Sequence, residues 1–217
     1  MTAEINKTKK RVIAYIDGFN LYHSLHNLGR PHLKWVNLWT LLDSITRGDE
    51  KLDAVKYFSA YATWKPKAYF HHRQYVNALE YFGVTTIMGN FKGKPRECTK
   101  CKHQWDEHEE KETDVNLALR ILCDAVDDSF DRAIIVSADS DLLPIVKEIK
   151  SRFPQKEIFI ATPPKRHEIA RDLCSYGGNM NLTPGRIERH LLPDRIKLDE
   201  IRLVIKPPQY KKKKSVS

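Results

Sequence analysis

The feature that most constrains this chain is an alternation of two periods: short runs of β-branched and aromatic residues recur, separated by longer stretches of helical spacing. A run such as AIIVS at 133–137 has no polar alternation, so both of its faces must be covered, as in a parallel sheet between helices. The spacing predicts strands over 12–16, 55–61, 84–88, 133–137 and 157–161. Helices are expected from Gly18 onward and over 36–45, 68–82, 114–126, 142–149 and 168–174, with Pro144 tolerated in a first turn. Strand and helix in regular succession predict an α/β fold, a mainly parallel sheet flanked by helices in a three-layer sandwich.

The rhythm breaks at 89–110, GNFKGKPRECTKCKHQWDEHEE, which is polar and has neither period, and is expected to be an inserted loop. Within it Cys98-x-x-Cys101, His103 and His108 could supply four tetrahedral ligands to a structural Zn²⁺, a staple from which a loop without its own core gains most. Cys-x-x-Cys alone is half a site. His71, His72 or solvent could complete it instead, and two unpaired thiols or a labile disulfide are the plainer alternatives. Cys123 and Cys174 fall on apolar helices and are expected to be buried.

With 217 residues, 41% of them hydrophobic, the chain can bury one sizeable core. The expected organisation is a basic N-terminal extension (1–11), one domain (12–184) carrying the Cys/His loop, and a C-terminal extension (185–217) with a basic tail, in which 201–205 forms a last edge strand or an ordered tail. No run of about 18 apolar residues occurs and no apolar segment follows the first charges, so neither a membrane span nor secretion is expected. Four cysteines in a chain of this size fit a reducing, cytoplasmic compartment.

A net charge of +9 favours a polyanionic partner, RNA or DNA. Much of the excess lies in Lys7, Lys9, Lys10 and Arg11 and in Lys211 to Lys214, where solvated tails or nucleic-acid contacts explain it equally well. The stretch YATWKPKAYFHHRQY interleaves rings and cations in the manner of single-strand binding. Tyr69, Phe70 and Tyr75 are expected to pack on the core, leaving Lys65, Lys67 and Arg73, together with Lys92, Lys94, Lys100, Lys165 and Arg166, as candidates for RNA phosphates.

The chemistry-bearing residues are acidic. In an open α/β sheet the reactive edge lies beyond the carboxyl ends of the strands. There Asp17 ends the first strand in YIDGFN, with Asn20 in the following helical turn, and Asp139 and Asp141 follow AIIVS in VSADSDL. Asp114 opens the helix before that strand. Carboxylates gathered in one cleft repel one another unless a cation favours the charged forms, and Mg²⁺ or Mn²⁺, hard ions that take oxygen ligands and bridge to phosphate, would resolve the conflict. Asp139 or Asp141 alone is more often an N-cap or turn residue than a ligand, and Asn20, Ser137 and Ser140 could serve only their local backbone. His23 lies on the first helix, with no direction fixed by sequence.

The stretches IDGFNLYHSL, EKETDVNLALRILCDA and FDRAIIVSADSDLLPIVKEIK resemble, in wording and order, the NYN domain, a branch of the PIN-like nucleases. The resemblance implies a parallel sheet sandwiched by helices, divalent-metal binding by conserved acids and, in many members, action on RNA. It carries Asp17 onto the first metal-binding aspartate, Asn20 onto its companion, Asp114 onto the helix-borne acid, and Asp139 with Asp141 onto the acids after the fourth core strand. Ala138 stands where relatives often have glycine, and no acidic position is lost. The resulting expectation is a metal-dependent ribonuclease. Its rivals are a DNA nuclease of the same fold and a non-catalytic RNA-binding or regulatory module. No G-x-G-x-x-G or G-x-x-x-x-G-K-[ST] occurs, and Phe19 holds the place where an aspartyl phosphatase has its second acid.

Overall fold

In a computed structural model, residues 8–212 are described. Six parallel strands form the core sheet: β1 (Lys10–Asp17), β2 (Glu50–Ala60), β3 (Thr85–Glu97), β5 (Arg132–Val136), β6 (Glu157–Thr162) and β7 (Gly178–Asn181). A seventh, β4 (Gln104–Lys111), runs antiparallel to the distal half of β3, and the order is β4-β3-β2-β1-β5-β6-β7. β1 is central, with Ala14 opposite Val55 on one side and Ile134 on the other.

Alternate residues of β1 enter two cores. Val12, Ala14 and Ile16 join the layer built with α1 (Gly18–Asn27), α2 (Leu38–Asp43) and α3 (Pro66–Tyr81), centred on Trp35, Leu41 and Leu79. Ile13 and Tyr15 face α4 (Thr113–Val126), α5 (Leu143–Arg152) and α6 (Arg171–Cys174) through Leu117, Ile121, Val146 and Leu173. The expected three-layer α/β sandwich is therefore present. No helix among the described residues is long and apolar enough to cross a membrane.

Several local expectations are corrected. The segment 89–110 is not a loop: β3 continues past the sheet and returns as β4, with Lys92 opposite Glu109 and Lys94 opposite Glu107. Cross-strand opposite charges support this arm, whose two faces are largely solvated, so no apolar alternation is needed. Gly89 marks where the strand leaves the sheet, and a Cβ there would meet the Lys111 carbonyl at 2.7 Å.

The segment after residue 184, expected as an extension, packs into the first core. α7 (Pro184–Glu188), the hairpin of β8 (Arg195–Lys197) with β9 (Leu203–Ile205), and the turn at Pro208–Tyr210 bury Ile187, Ile196, Val204 and Tyr210. The 201–205 stretch thus pairs with β8 and not with the main sheet. α4 is apolar on two faces, but only Leu117, Ile121 and Ala125 are buried among its apolar residues, while Val115, Leu119 and Val126 are exposed. Cys174 is buried as expected and Cys123 is exposed, because it falls on the outer face of α4. Phe70 is likewise exposed on α3, while Tyr75 is buried and Tyr69 is partly so.

Candidate active site

Three carboxylates from three elements meet at the carboxyl edge of the central strands. Asp17 ends β1, Asp139 follows β5, and Asp114 sits in the first turn of α4; one oxygen of each lies within 4.8 Å of the others. Parallel pairing of β1 with β5, Ile16 opposite Val136, brings the first two together. The third arrives through the β3–β4 arm. Glu112 at φ 79° turns the chain into α4, and the Glu110 carboxylate accepts from Thr113 N–H at 2.9 Å, capping the helix whose next residue is Asp114.

Asp17 is almost fully buried. Its Oδ1 accepts from Asn20 N–H at 2.9 Å and its Oδ2 from the Ser137 hydroxyl at 2.9 Å. That hydroxyl also accepts from Asp139 N–H at 3.0 Å, and Asn20 Oδ1 accepts from Ala138 N–H at 3.1 Å. Asn20 and Ser137 therefore lock the β5 loop to the β1 end, so the capping and site roles coincide. A side chain at residue 18 would collide with the Phe58 carbonyl at 2.5 Å, so glycine is needed for α1 to start this close to β2. Asp141 is exposed. It stands beside the trio, its N–H donating to Asp139 Oδ1 at 3.0 Å.

Burial pushes the Asp17 carboxyl up to about 6, more than its two hydrogen bonds offset, and the charges of Asp114 and Asp139 add to the rise. The Asp114 carboxyl is raised by burial and then by Asp139, Glu110 and Asp141. Among the described residues none of Asp17, Asp114, Asp139, Asp141 and Glu110 forms an ion pair. Clustered oxygens at depressed acidity, with no internal cation, fit a hard divalent ion.

The trio lines a cleft of about 420 Å³ together with Phe19, His23 and Arg166. Phe91 and Glu110, contributed by the arm, line it as well. His23 thus faces the cleft, its imidazole held below the usual histidine range by burial and by nearby His26, Arg166 and Lys34. Sequence reasoning missed Glu110 and Phe91, which lay within the supposed loop.

The remaining predicted residues scatter. Lys65 and Lys67 line a neighbouring cavity, Arg73 lies on α3 over the Tyr69 ring, and Lys92 and Lys94 stand on the arm, with Lys100 at its exposed tip. Lys165 holds a positive φ of 60° beside Arg166. Arg11 is ion-paired with Asp128 and Asp131, at the opposite end of β1 from Asp17, and Lys212 pairs with Glu188. Lys7, Lys213 and Lys214 lie outside the described residues.

Cys98, Cys101, His103 and His108 are not brought together as a zinc set. The first three sit at the arm's turn, whereas His108 lies five residues down β4 from His103, roughly 16 Å at strand rise, stacked on Trp64 with ring centroids 3.8 Å apart. His103 stacks on Trp105, and His71 and His72 line the cavity.

The NYN domain model matches residues 11–177. The chain is 27% identical to 6-hydroxy-3-succinoylpyridine 3-monooxygenase HspA of Pseudomonas putida, across 70% of this chain and 59% of that protein, so it spans about three-fifths of the relative's length. The structure is similar to a crystal structure of a protein of unknown function from Vibrio parahaemolyticus, with a TM-score of 0.57 at 19% identity, covering 88% of this chain and 100% of that one. The family match includes Asp17, Asn20, Asp114, Asp139 and Asp141, and the observed sheet order carries them to one edge: the chain belongs to the NYN domain family.

Proposed function

We propose that this protein is a metal-dependent ribonuclease whose acidic cleft hydrolyses phosphodiester bonds. The observation that carries the reading is the convergence of Asp17, Asp114 and Asp139 within 4.8 Å, none of them in an ion pair among the described residues. These three would hold Mg²⁺ or Mn²⁺, with Asp141 and Glu110 adding negative potential at the rim. Such an ion, when bound, supplies Lewis acidity toward water and the phosphoryl oxygens.

The chain's own contribution is placement. Ser137 and Asn20 tie the Asp17 carboxylate to the backbone of Ala138 and Asp139, and so set the two acids relative to each other before substrate arrives. Arg166 lines the same cleft and offers a cation to phosphate, and the neutral imidazole of His23 is able to take a proton. Water attacks phosphorus, the bond to the 3′ oxygen breaks, and that oxygen leaves with a proton, giving 5′-phosphate and 3′-hydroxyl ends.

The test is cleavage of end-labelled single-stranded RNA, folded tRNA and matched DNA with Mg²⁺ or Mn²⁺, comparing wild type, EDTA and Asp139→Asn. RNA cutting lost in both controls supports the reading. DNA cutting alone would reassign the substrate, 2′,3′-cyclic phosphate products would overturn the water attack, and RNA binding without cutting would make the protein a binding module.

A second reading follows from the named activity of the Pseudomonas relative, oxygenation of a hydroxypyridine. The large, mostly apolar cavity beside the cleft favours it. Incubation with 6-hydroxy-3-succinoylpyridine under ¹⁸O2 with NADH as the two-electron reductant, and mass analysis for a product carrying one ¹⁸O atom while the other leaves as water, tests it.

A further inference from the structure

A cavity of about 900 Å³ adjoins the acidic cleft and shares Phe19, His23 and Phe91 with it. Its lining is mostly apolar and aromatic. Phe19, Phe91, Trp64 and His108 form a continuous row of ring contacts, with centroid separations of 5.7, 4.6 and 3.8 Å, that leads from the residue two after Asp17 into the cavity. Ring faces of this kind hold planar π-systems, and their preference is for aromatic occupants of any sequence. Polar edges lie inside as well: His72 Nε2 is 3.4 Å from the Tyr57 hydroxyl and 3.5 Å from that of Ser59. Burial holds the His72 imidazole down to about 4, so this group is uncharged near neutrality.

The second observation concerns charge. Lys34 is 9% exposed, lines this cavity, and among the described residues makes no ion pair. Its Nζ donates to His26 Nδ1 at 2.8 Å and lies 4.1 Å from the centre of the Tyr22 ring. The other buried cations all have a carboxylate: Arg132 has Glu50, Lys156 has Asp128 and Lys206 has Asp194. A buried ammonium without an anion is costly, and an anion delivered by a ligand removes the cost. Lys65 and Lys67 line the same cavity.

We infer that this cavity is a nucleotide subsite for single-stranded RNA, taking an unstacked base among its rings with that nucleotide's phosphate against Lys34, while an adjacent phosphodiester lies in the acidic cleft. The inference deepens the ribonuclease reading and rests on it for the second half only. Continuity of cavity and cleft selects a ligand with both rings and successive phosphates over a free aromatic acid, which would leave the cleft unused.

The experiment separates binding from chemistry by working in EDTA. Anisotropy of a fluorescein-labelled ten-nucleotide single-stranded RNA is followed with wild type, Lys34→Met, Trp64→Ala and, as a remote charge control at the other end of the sheet, Lys51→Gln. Expected is saturable binding that weakens about tenfold or more in Lys34→Met and Trp64→Ala and on the wild type when the oligonucleotide carries abasic residues, with Lys51→Gln near wild type. Lys34→Met is also expected to raise the melting temperature of the free protein, since it removes a buried unpaired charge, so its loss of affinity is not a folding defect. Equal binding by all variants, or indifference to abasic residues, overturns the subsite. Saturable binding of benzoate or nicotinate that depends on Lys34, with none of RNA, overturns it in favour of a small aromatic acid. Cavity-dependent RNA binding without cleavage in Mg²⁺ leaves the subsite standing and defeats the ribonuclease reading instead.

Discussion

The two ends of the central strands use the same side chains in opposite ways. At the amino ends of β2, β5 and β6, Glu50, Arg132 and Glu157 form a network with Arg47: Arg132 meets Glu50 at 2.7 Å with both side chains essentially inaccessible, and Arg47 holds Glu157 at 2.7 Å. Arg11, Asp131, Asp128 and Lys156 form a second paired cluster nearby. At the carboxyl ends, Asp17, Asp114 and Asp139 face one another, and among the described residues they have no such partner. Acidity follows the pairing. Burial alone would raise Glu157, but the Arg47 guanidinium holds it below the usual range, and Arg11 lowers Asp131, whereas Asp17 is raised. The acids at the amino end are given their cations within the chain, and the trio at the carboxyl end is left without one among the described residues.

The comparison is broken or sharpened most strongly at the paired end. Arg132→Ala removes the buried partner of Glu50, leaving it only the half-exposed Arg47 at 3.5 Å, and is expected to cost about 3 kcal/mol by urea unfolding. Wild-type stability in that variant would show that the pairing carries no structural burden. At the unpaired end, Asp139→Asn is expected to lower RNA cleavage at least about 100-fold, roughly 3 kcal/mol in transition-state terms, while the urea midpoint stays level or rises.

The pH dependence of the metal-free protein should carry opposite signs from the two ends. Asp17 keeps its proton in the folded state up to about pH 6, whereas an unfolded aspartate loses it near pH 4. Its contribution is therefore fully present at low pH and is lost as pH rises through that window, by at most about 3 kcal/mol. Asp131 and Glu157, held low, contribute stability that is present above their unfolded values and lost as pH falls below about 4. Thermal melts in EDTA from pH 3 to 8 should show a maximum near 5, and saturating Mg²⁺ should remove the decline on its alkaline side. A stability that climbs steadily to pH 8 without metal would contradict the raised Asp17.

Asp114→Asn is a smaller effect of the same kind. Relief of the like charges of Asp139, Glu110 and Asp141 should raise the melting temperature of the metal-free protein by about 2 °C, while Mg²⁺ no longer stabilises it. Smallest is Arg11→Gln, an ion pair at the surface, expected to change stability by about 1 kcal/mol or less and cleavage not at all.

Asp17 and Asp139 were legible because strand ends place acids at a known edge, and β1 and β5 announce themselves as buried apolar runs. Asp114 was reachable because it opens a helix whose core face, Leu117, Ile121 and Ala125, is spaced in the expected way. The arm was not, since neither of its faces enters a core and hydrophobic period is the wrong signal for it. What marked it was a mainly basic FKGKPRE followed by a mainly acidic WDEHEEK, which set Lys92 against Glu109 and Lys94 against Glu107 across the turn, and with the arm went Phe91, His108 and Glu110. The orphan charge of Lys34 was also invisible, because isolation is a property of neighbours distant in sequence.

β3 pairs with β2 only as far as Gly89, and from Asn90 to Glu97 its sole partner among the described residues is β4. At strand rise the outer part reaches about 26 Å beyond that point. One continuous strand consequently belongs to two cooperative units. In hydrogen exchange, amides of Thr86 to Met88 should open only with the sheet, while those of Lys94 to Glu97 open as the arm frays, so the boundary between slow and fast exchange should fall inside a single strand. Phe91 and Glu110 sit just on the outer side of that boundary, which makes one wall of the cleft separable in time from the rigid edge that carries Asp17 and Asp139.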